Sequence, residues 1–182
     1  MITLPTTIDG LIYLEPQVFK DDRGFFMESY QRPRYQALGI GIEFVQDNHS
    51  SSRKGTVRGL HYQSSPGQAK LLRCTRGTIW DVAVDLRPES SSFGKWQAFE
   101  LDDVHHRQLF IPTGFAHGFC VLSEEAEVQY KCSSIYVAAT ESGLAWNDPD
   151  LAVAWPVTNP VISARDQGNE SFAAFKARVK GL

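Results

Sequence analysis

Within VRGLHYQ, residues 57 to 63, an arginine and a histidine interrupt residues that favour extended backbone. Val57, Leu60 and Tyr62 suit a strand, so His61 belongs on one. Three uses compete for such a histidine: a core residue satisfied by hydrogen bonds, a metal ligand, or a base that takes a proton from a substrate. Its company favours the third. Arg58, His61, Lys70 and Tyr130 all fall in strand-like stretches, where titratable side chains inside a small barrel need pairing or a ligand. Together they supply a base, an electrophilic cation and a phenolic acid. Such a set suits proton abstraction next to a carbonyl: imidazole removes the carbon-bound proton, ammonium stabilises the enolate oxygen, and the phenol returns a proton.

The metal use is disfavoured by its donors. His61 is followed by Gln63, and the SSPGQAK run after it holds no carboxylate. Glutamine is a poor anchor for a divalent transition metal, which takes imidazole, thiolate or carboxylate. His49, His105 and His106 have no ligand spacing to His61. Neither a metal nor any other cofactor is expected.

The elements that must position these groups are short and numerous. From about residue 43 to 132 the chain reads as alternating runs broken by turn signals: FVQDN, TVRGLHYQ, AKLLRC, TIWDVAVDL, KWQAFEL, RQLFIP, HGFCVL and EVQYKC. In TIWDVAVDL, Trp80, Val82, Val84 and Leu86 share one face, with Ile79, Asp81, Ala83 and Asp85 on the other. Many closely spaced strands imply an antiparallel sandwich or barrel. SSSRKG (50 to 55) and PESSSFG (88 to 94) read as loops. Helical signal is peripheral: PRYQALG (33 to 39), and ESFAAFKARVKGL (170 to 182) with Phe172, Phe175 and Val179 on one stripe. These short helices are expected to cover the barrel ends. LFIPTGFAHGFCVL (109 to 122) holds Pro112, Gly114 and His117 as P-x-G-x-x-H, which resembles the second sequence motif of the cupin superfamily of jelly-roll barrels. An ordinary turn explains the same Pro and Gly, and His117 begins the next strand in either case.

Composition narrows the class. At 182 residues, with no linker or repeat, residues 1–182 are expected to form a single domain. No apolar run approaches the roughly 20 residues of a membrane span, so no membrane partner is expected. A formal charge of −3 gives no basic field for nucleic acid. Cys74, Cys120 and Cys132 lack CxxC spacing and their odd number argues against a disulfide framework. MITLPTTIDG does not look like a secretory signal, which makes the cytoplasm the expected location.

Six stretches in order carry a closer resemblance: FKDDRGFFMES, FVQDNHSSSRKGTVRGLHYQ, QAKLLRCTRGTIWDVAVDLR, FIPTGFAHGF, QYKCSSIYVAATESGLAWNDPDLAVAWP and ISARD. From about residue 4 to 172 the chain resembles the dTDP-4-dehydrorhamnose 3,5-epimerase family, metal-free cupin-type enzymes of nucleotide-sugar biosynthesis. The resemblance implies a mainly β, cupin-like antiparallel jelly-roll barrel with a few short peripheral helices. It implies His61 as proton acceptor, Asp166 as its carboxylate partner, Lys70 as enolate stabiliser and Tyr130 as proton donor. It further implies Arg23, Glu28, Gln46, Asn48, Arg58, His117, Glu141 and Arg165 around a dTDP-linked 4-keto-6-deoxyhexose, with Phe25 and Tyr136 stacking near thymine. A homodimer is implied too, strand-like LIYLEPQVF and FFMES extending the partner's sheet.

Two features sit awkwardly with that assignment. Strict alternation sends Arg58 and His61 to opposite faces of one strand, unless a bulge at Gly59 re-aims one of them. In ISARD, arginine stands where the family commonly has lysine. Beside inversion at carbons 3 and 5 stand three alternatives: inversion at one carbon, a non-catalytic nucleotide-sugar-binding cupin, and a metal-dependent cupin oxygenase. A binding module would not need His61, Lys70 and Tyr130 together.

Overall fold

A computed structural model describes residues 1–180, and its strands fall into two sheets and a detached hairpin. The six-stranded sheet runs, in spatial order, β1 (Ile2–Leu4), β2 (Ile12–Glu15), β10 (Gln108–Ile111), β7 (Lys70–Arg76), β12 (Glu125–Cys132) and β5 (Gln46–Arg53). The five-stranded sheet runs β13 (Glu141–Gly143), β6 (Val57–Gln63), β11 (Phe115–Val121), β8 (Thr78–Asp85) and β9 (Trp96–Asp102). β3 (Val18–Asp21) and β4 (Gly24–Met27) pair only with each other among the described residues. From β5 to β12 the chain crosses between sheets at every step except the β8–β9 hairpin. With antiparallel ladders throughout the two sheets, this is the jelly-roll order expected of a cupin-like barrel.

Both faces of the five-stranded sheet are largely buried, as are the inner face and the β2, β10 and β7 part of the outer face of the six-stranded one, which explains the apolar density of these strands; β5 leaves Asp47, His49, Ser51 and Arg53 exposed. Between the sheets, Leu72, Cys74, Leu109 and Val128 meet Ile79, Ala83, Phe99 and Phe119. Outside the five-stranded sheet, Leu60, Val82, Val84 and Ala116 pack under α3 (Phe172–Lys180), whose Phe172, Phe175 and Val179 form the stripe read from the sequence. Each phenyl so buried contributes roughly 2–3 kcal/mol. Outside the six-stranded sheet, Leu14, Leu71 and Phe110 pack against Tyr35 of α1 (Arg32–Ala37). The helices therefore clad the sheet faces and not, as expected, the barrel ends. Two apolar faces on strands such as β8 leave a surface that water would otherwise meet. Gly181 and Leu182, assigned to the last helix on sequence, lie outside the described residues.

Two boundaries differ as well. SSSRKG is not a loop from residue 50: β5 continues through Arg53, because Ser50, Ser51 and Ser52 pair with Val128, Glu127 and Ala126 of β12. A neighbouring strand's hydrogen bonds outweigh the serines' weak strand preference. β11 begins at Phe115, two residues before His117, since Phe115 and Ala116 already pair with Asp85 and Val84. Among the described residues no helix is long and apolar enough to cross a membrane.

Candidate active site

Between the sheets lies a cavity of about 230 Å³ with histidines on one wall and a lysine and a tyrosine on the other. Arg58 and His61 of β6 and His117 of β11 come from the five-stranded sheet. Lys70 of β7 and Tyr130 of β12 come from the six-stranded sheet, with Gln46 and Asn48 two residues apart on β5, as period-two alternation requires. Tyr136, Glu141 and Arg165 close one side.

A bulge allows Arg58 and His61 to share the cavity. β11 spends two steps between His117 and Phe119 while β6 spends three between their partners His61 and Arg58. The extra residue reverses the alternation. Gly59 takes φ +115°, and a Cβ there would lie 2.6 Å from Gly118 Cα and His117 O, so only glycine fits this crossing.

His61 Nε2 lies 2.6 Å from Asp166 Oδ1. Asp166 comes from α2 (Ala164–Gln167), a single turn whose Ser163 cap accepts from Asp166 N at 3.1 Å. Its Oδ2 accepts from Gly59 N at 3.2 Å, which ties the helix to the bulge. Burial pushes the Asp166 carboxyl up, but the His61, Gly59 and Ser163 hydrogen bonds outweigh it and hold the group below its ordinary range. An ionised carboxylate accepts only, so Nε2 carries the hydrogen and Nδ1 keeps the lone pair. That is the arrangement of an oriented base.

On the facing wall no carboxylate lies within ion-pair distance of Lys70 among the described residues. Burial lowers its pKa, opposed by Cys132, Glu141 and Asp81. Burial likewise raises that of the Tyr130 phenol, with Cys132 and Glu141 adding to the rise while Asn48 and Arg58 oppose it. The site thus faces an oriented acceptor with a desolvated cation and a protonated phenol, a set able to make and quench an enolate.

The side chains expected around the sugar are bonded to their neighbours. Gln46 Nε2 donates to Asn48 Oδ1 at 3.0 Å, and Gln46 Oε1 accepts from Tyr136 N at 2.9 Å. Arg165 pairs with Glu141, which raises the guanidinium's pKa. Arg58 Nε donates to Ser52 Oγ at 2.9 Å. Gln63, in the position a metal ligand would need, instead donates to Ser134 Oγ and Ile135 O and accepts from Val137 N. Among the described residues no three His, Cys, Asp or Glu side chains are grouped to hold a metal ion.

Three expected site residues do not reach this cavity. Arg23 and Phe25 lie on the β3–β4 hairpin and Glu28 just after it. Arg23 is paired with Asp21 at 2.6 Å and almost wholly exposed, Phe25 rests on the His106 ring at 4.4 Å between centroids, and Glu28 lies 3.3 Å from Arg34. The hairpin pairs with neither sheet among the described residues, and none of the three side chains lines the cavity. Conversely, sequence reasoning passed over Gln68, which lines the cavity, and Asp81, whose Oδ2 lies 2.7 Å from His117 Nε2. A carboxylate inside the apolar run TIWDVAV was the available signal for Asp81.

A family model described as dTDP-4-dehydrorhamnose 3,5-epimerase matches residues 5–174. The chain belongs to this family. It is 49% identical over 174 residues to the dTDP-4-dehydrorhamnose 3,5-epimerase of Shigella flexneri, covering 94% of this chain and 96% of that protein. The family's solved structures superpose closely. A dTDP-6-deoxy-D-glucose-3,5-epimerase from Legionella pneumophila, in complex with dTDP-4-keto-L-rhamnose, is 44% identical with a TM-score of 0.94, covering 98% of this chain and 96% of that one. The dTDP-4-dehydrorhamnose 3,5-epimerase of Bacillus anthracis, with TDP and PPi bound, is 45% identical with a TM-score of 0.92, covering 94% and 99%.

Proposed function

We propose that this chain is a cofactor-free epimerase of a dTDP-linked 4-keto-6-deoxyhexose, inverting carbons 3 and 5 through enolates. The observation that carries this reading is the His61–Asp166 pair on one wall of the cavity with Lys70 and Tyr130 on the other. In a gluco-configured ring the hydrogens on carbons 3 and 5 lie on the same face, so one base serves both. His61 Nδ1 removes the carbon-bound proton, and the electrons move into the 4-keto group. Lys70 meets the enolate oxygen with its ammonium. Tyr130 returns a proton to the opposite face, which inverts the carbon. Asp166 holds the imidazole and stabilises its protonated form.

Gln46, Asn48, Arg58, His117, Tyr136, Glu141 and Arg165 are assigned to the nucleotide sugar. Arg58 and Arg165 suit the diphosphate because guanidinium meets paired oxygens with paired donors, and Tyr136 offers an exposed ring for thymine. Arg23, Phe25 and Glu28 fit the same role only if their hairpin enters a second copy's cavity. Its solvent-facing Phe19, Phe25 and Phe26 support a homodimer in which that hairpin joins the partner's sheet. Sedimentation of the active enzyme as a monomer would reject the dimer. A shared core between the sheets suits one domain over residues 1–182, and three free cysteines suit the reducing cytoplasm.

The test is proton NMR of dTDP-4-keto-6-deoxyglucose with the protein in deuterated water. Deuterium at both carbons 3 and 5, with the inverted sugar accumulating, is expected. Exchange at one carbon marks a single-carbon epimerase, and exchange at neither removes the reading.

A further inference from the structure

The cavity holds a second imidazole–carboxylate pair that the mechanism above does not use. Asp81 of β8 is wholly buried, and its Oδ2 lies 2.7 Å from Nε2 of His117, itself only 7% exposed. Asp81 Oδ1 is buried with no partner among the described residues. The carboxylate's demand for a donor therefore falls on His117 alone. A carboxylate accepts and does not donate, so Nε2 of His117 carries the hydrogen and Nδ1 of the neutral ring carries a lone pair. No described residue donates to that Nδ1.

Free side-chain acceptors lining this cavity are few: besides His117 Nδ1 they include the oxygens of Ser50, Gln68 and Tyr130. Arg58, Lys70 and Arg165 only donate. Glu141 is committed to Arg165, and the side-chain oxygens of Gln46 and Asn48 already accept from Tyr136 N and Gln46 Nε2. A sugar hydroxyl entering here needs an acceptor, and His61 Nδ1 is occupied by the chemistry. His117 sits directly across the ladder from His61, on the same wall. Stereochemistry makes that placement informative. When a proton leaves carbon 3 toward the histidine wall and another arrives from the tyrosine wall, the carbon 3 hydroxyl swings toward the histidines.

We propose that Asp81 is a positioning residue that fixes His117 with its Nδ1 lone pair on the cavity side, where it accepts the carbon 3 hydroxyl of the carbon-3-inverted sugar. The inference rests on the epimerase reading and adds a device for selecting configuration. His117 holds the first inverted centre while carbon 5 reacts. Asp81 acts only through it.

Three measurements test this. In the ¹⁵N spectrum of the uniformly labelled wild-type enzyme at neutral pH, His117, identified by loss of its signals in His117→Asn, should show a protonated Nε2 and a bare Nδ1. A protonated Nδ1 overturns the proposal. In Asp81→Asn the carboxamide donates as well as accepts, so the lock on the tautomer is lost. Formation of the carbon-3-inverted product should fall roughly 5- to 30-fold, the scale of one unmet hydrogen bond. On the 3-deoxy analogue of dTDP-4-keto-6-deoxyglucose, which lacks that hydroxyl, deuterium exchange at carbon 5 should match wild type. Equal losses on both substrates, or none on either, overturn it. If Asp81→Asn does not fold, His117→Asn, which still offers Asp81 a donor, must show the same selectivity between substrates. Absence of exchange by the wild-type enzyme on either substrate would instead reject the epimerase reading.

Discussion

The histidine wall and the lysine–tyrosine wall of the cavity prepare their ionisable groups by different means. On the five-stranded sheet each imidazole is backed by a buried carboxylate, Asp166 at 2.6 Å from His61 and Asp81 at 2.7 Å from His117. On the six-stranded sheet Lys70 and Tyr130 have no such partner among the described residues, and burial moves both toward their neutral forms. A base benefits from a partner present before the substrate arrives, since orientation and tautomer must already be set. A group that meets charge only in the transition state benefits from its absence, because an ammonium already paired with a carboxylate would gain less from a new oxyanion. The contrast therefore separates preparation by pairing from preparation by desolvation.

The largest effect should follow removal of the proposed base. His61→Asn is predicted to lower turnover roughly 10²- to 10⁴-fold with nucleotide binding kept, and Asp166→Asn to act in the same direction. Steady-state rates with dTDP binding by calorimetry measure both, and near-normal turnover removes His61 from the mechanism. Next, Lys70→Met should cost roughly 10²- to 10³-fold in deuterium exchange, the usual worth of one oxyanion donor. The same substitution should stabilise the fold by about 1 kcal/mol in urea titration, because it replaces an unpaired, desolvated cation with an apolar chain. A destabilised Lys70→Met would contradict the claim that this wall lacks pairing.

Tyr130→Phe isolates the acid. It should keep exchange through His61 yet form the carbon-5-inverted sugar on the order of 10²-fold more slowly. Inversion at the wild-type rate would return Tyr130 to the core. The smallest effect is on acid stability. The Asp166 pKa is depressed in the folded state, so its contribution is present above the unfolded value of about 3.9 and lost as pH falls through the folded one. Urea midpoints between neutral pH and pH about 3 should fall less steeply in Asp166→Asn than in wild type. Parallel curves would mean that the pair gives the fold no net charge stabilisation.

How much of this was legible depended on the range of the contact. Alternation exposed the strands and the two faces of TIWDVAVDL, because period two is local. Turn chemistry misread SSSRKG, where the ladder with β12 decides. His61 and Asp166 are 105 residues apart, a pairing no periodicity reveals, and only the family resemblance joined them. The Arg58–His61 conflict was itself a sound signal, since breaking alternation across a glycine is what a bulge does. The hairpin residues Arg23, Phe25 and Glu28 were assigned by motif alone, and motif carries no information about where a hairpin lies relative to its own cavity. Asp81 was visible as a carboxylate on an apolar strand, but its partner on β11 was not.

Asp166 has one further consequence through its carrier. The carboxylate behind His61 is not built into the barrel but rides on one helical turn of a crossing segment, attached by the short bridges Thr56–Val161 and Leu144–Glu170 and by its own bond to Gly59 N. Such a segment opens at a smaller free energy than a jelly roll whose strands are paired along their length. Catalytic competence should then track this local opening and not global melting. On warming, activity is expected to fade while amide hydrogens of β7, β8 and β11 remain protected from exchange. Activity and strand protection disappearing together would show that the segment and the barrel are one cooperative unit.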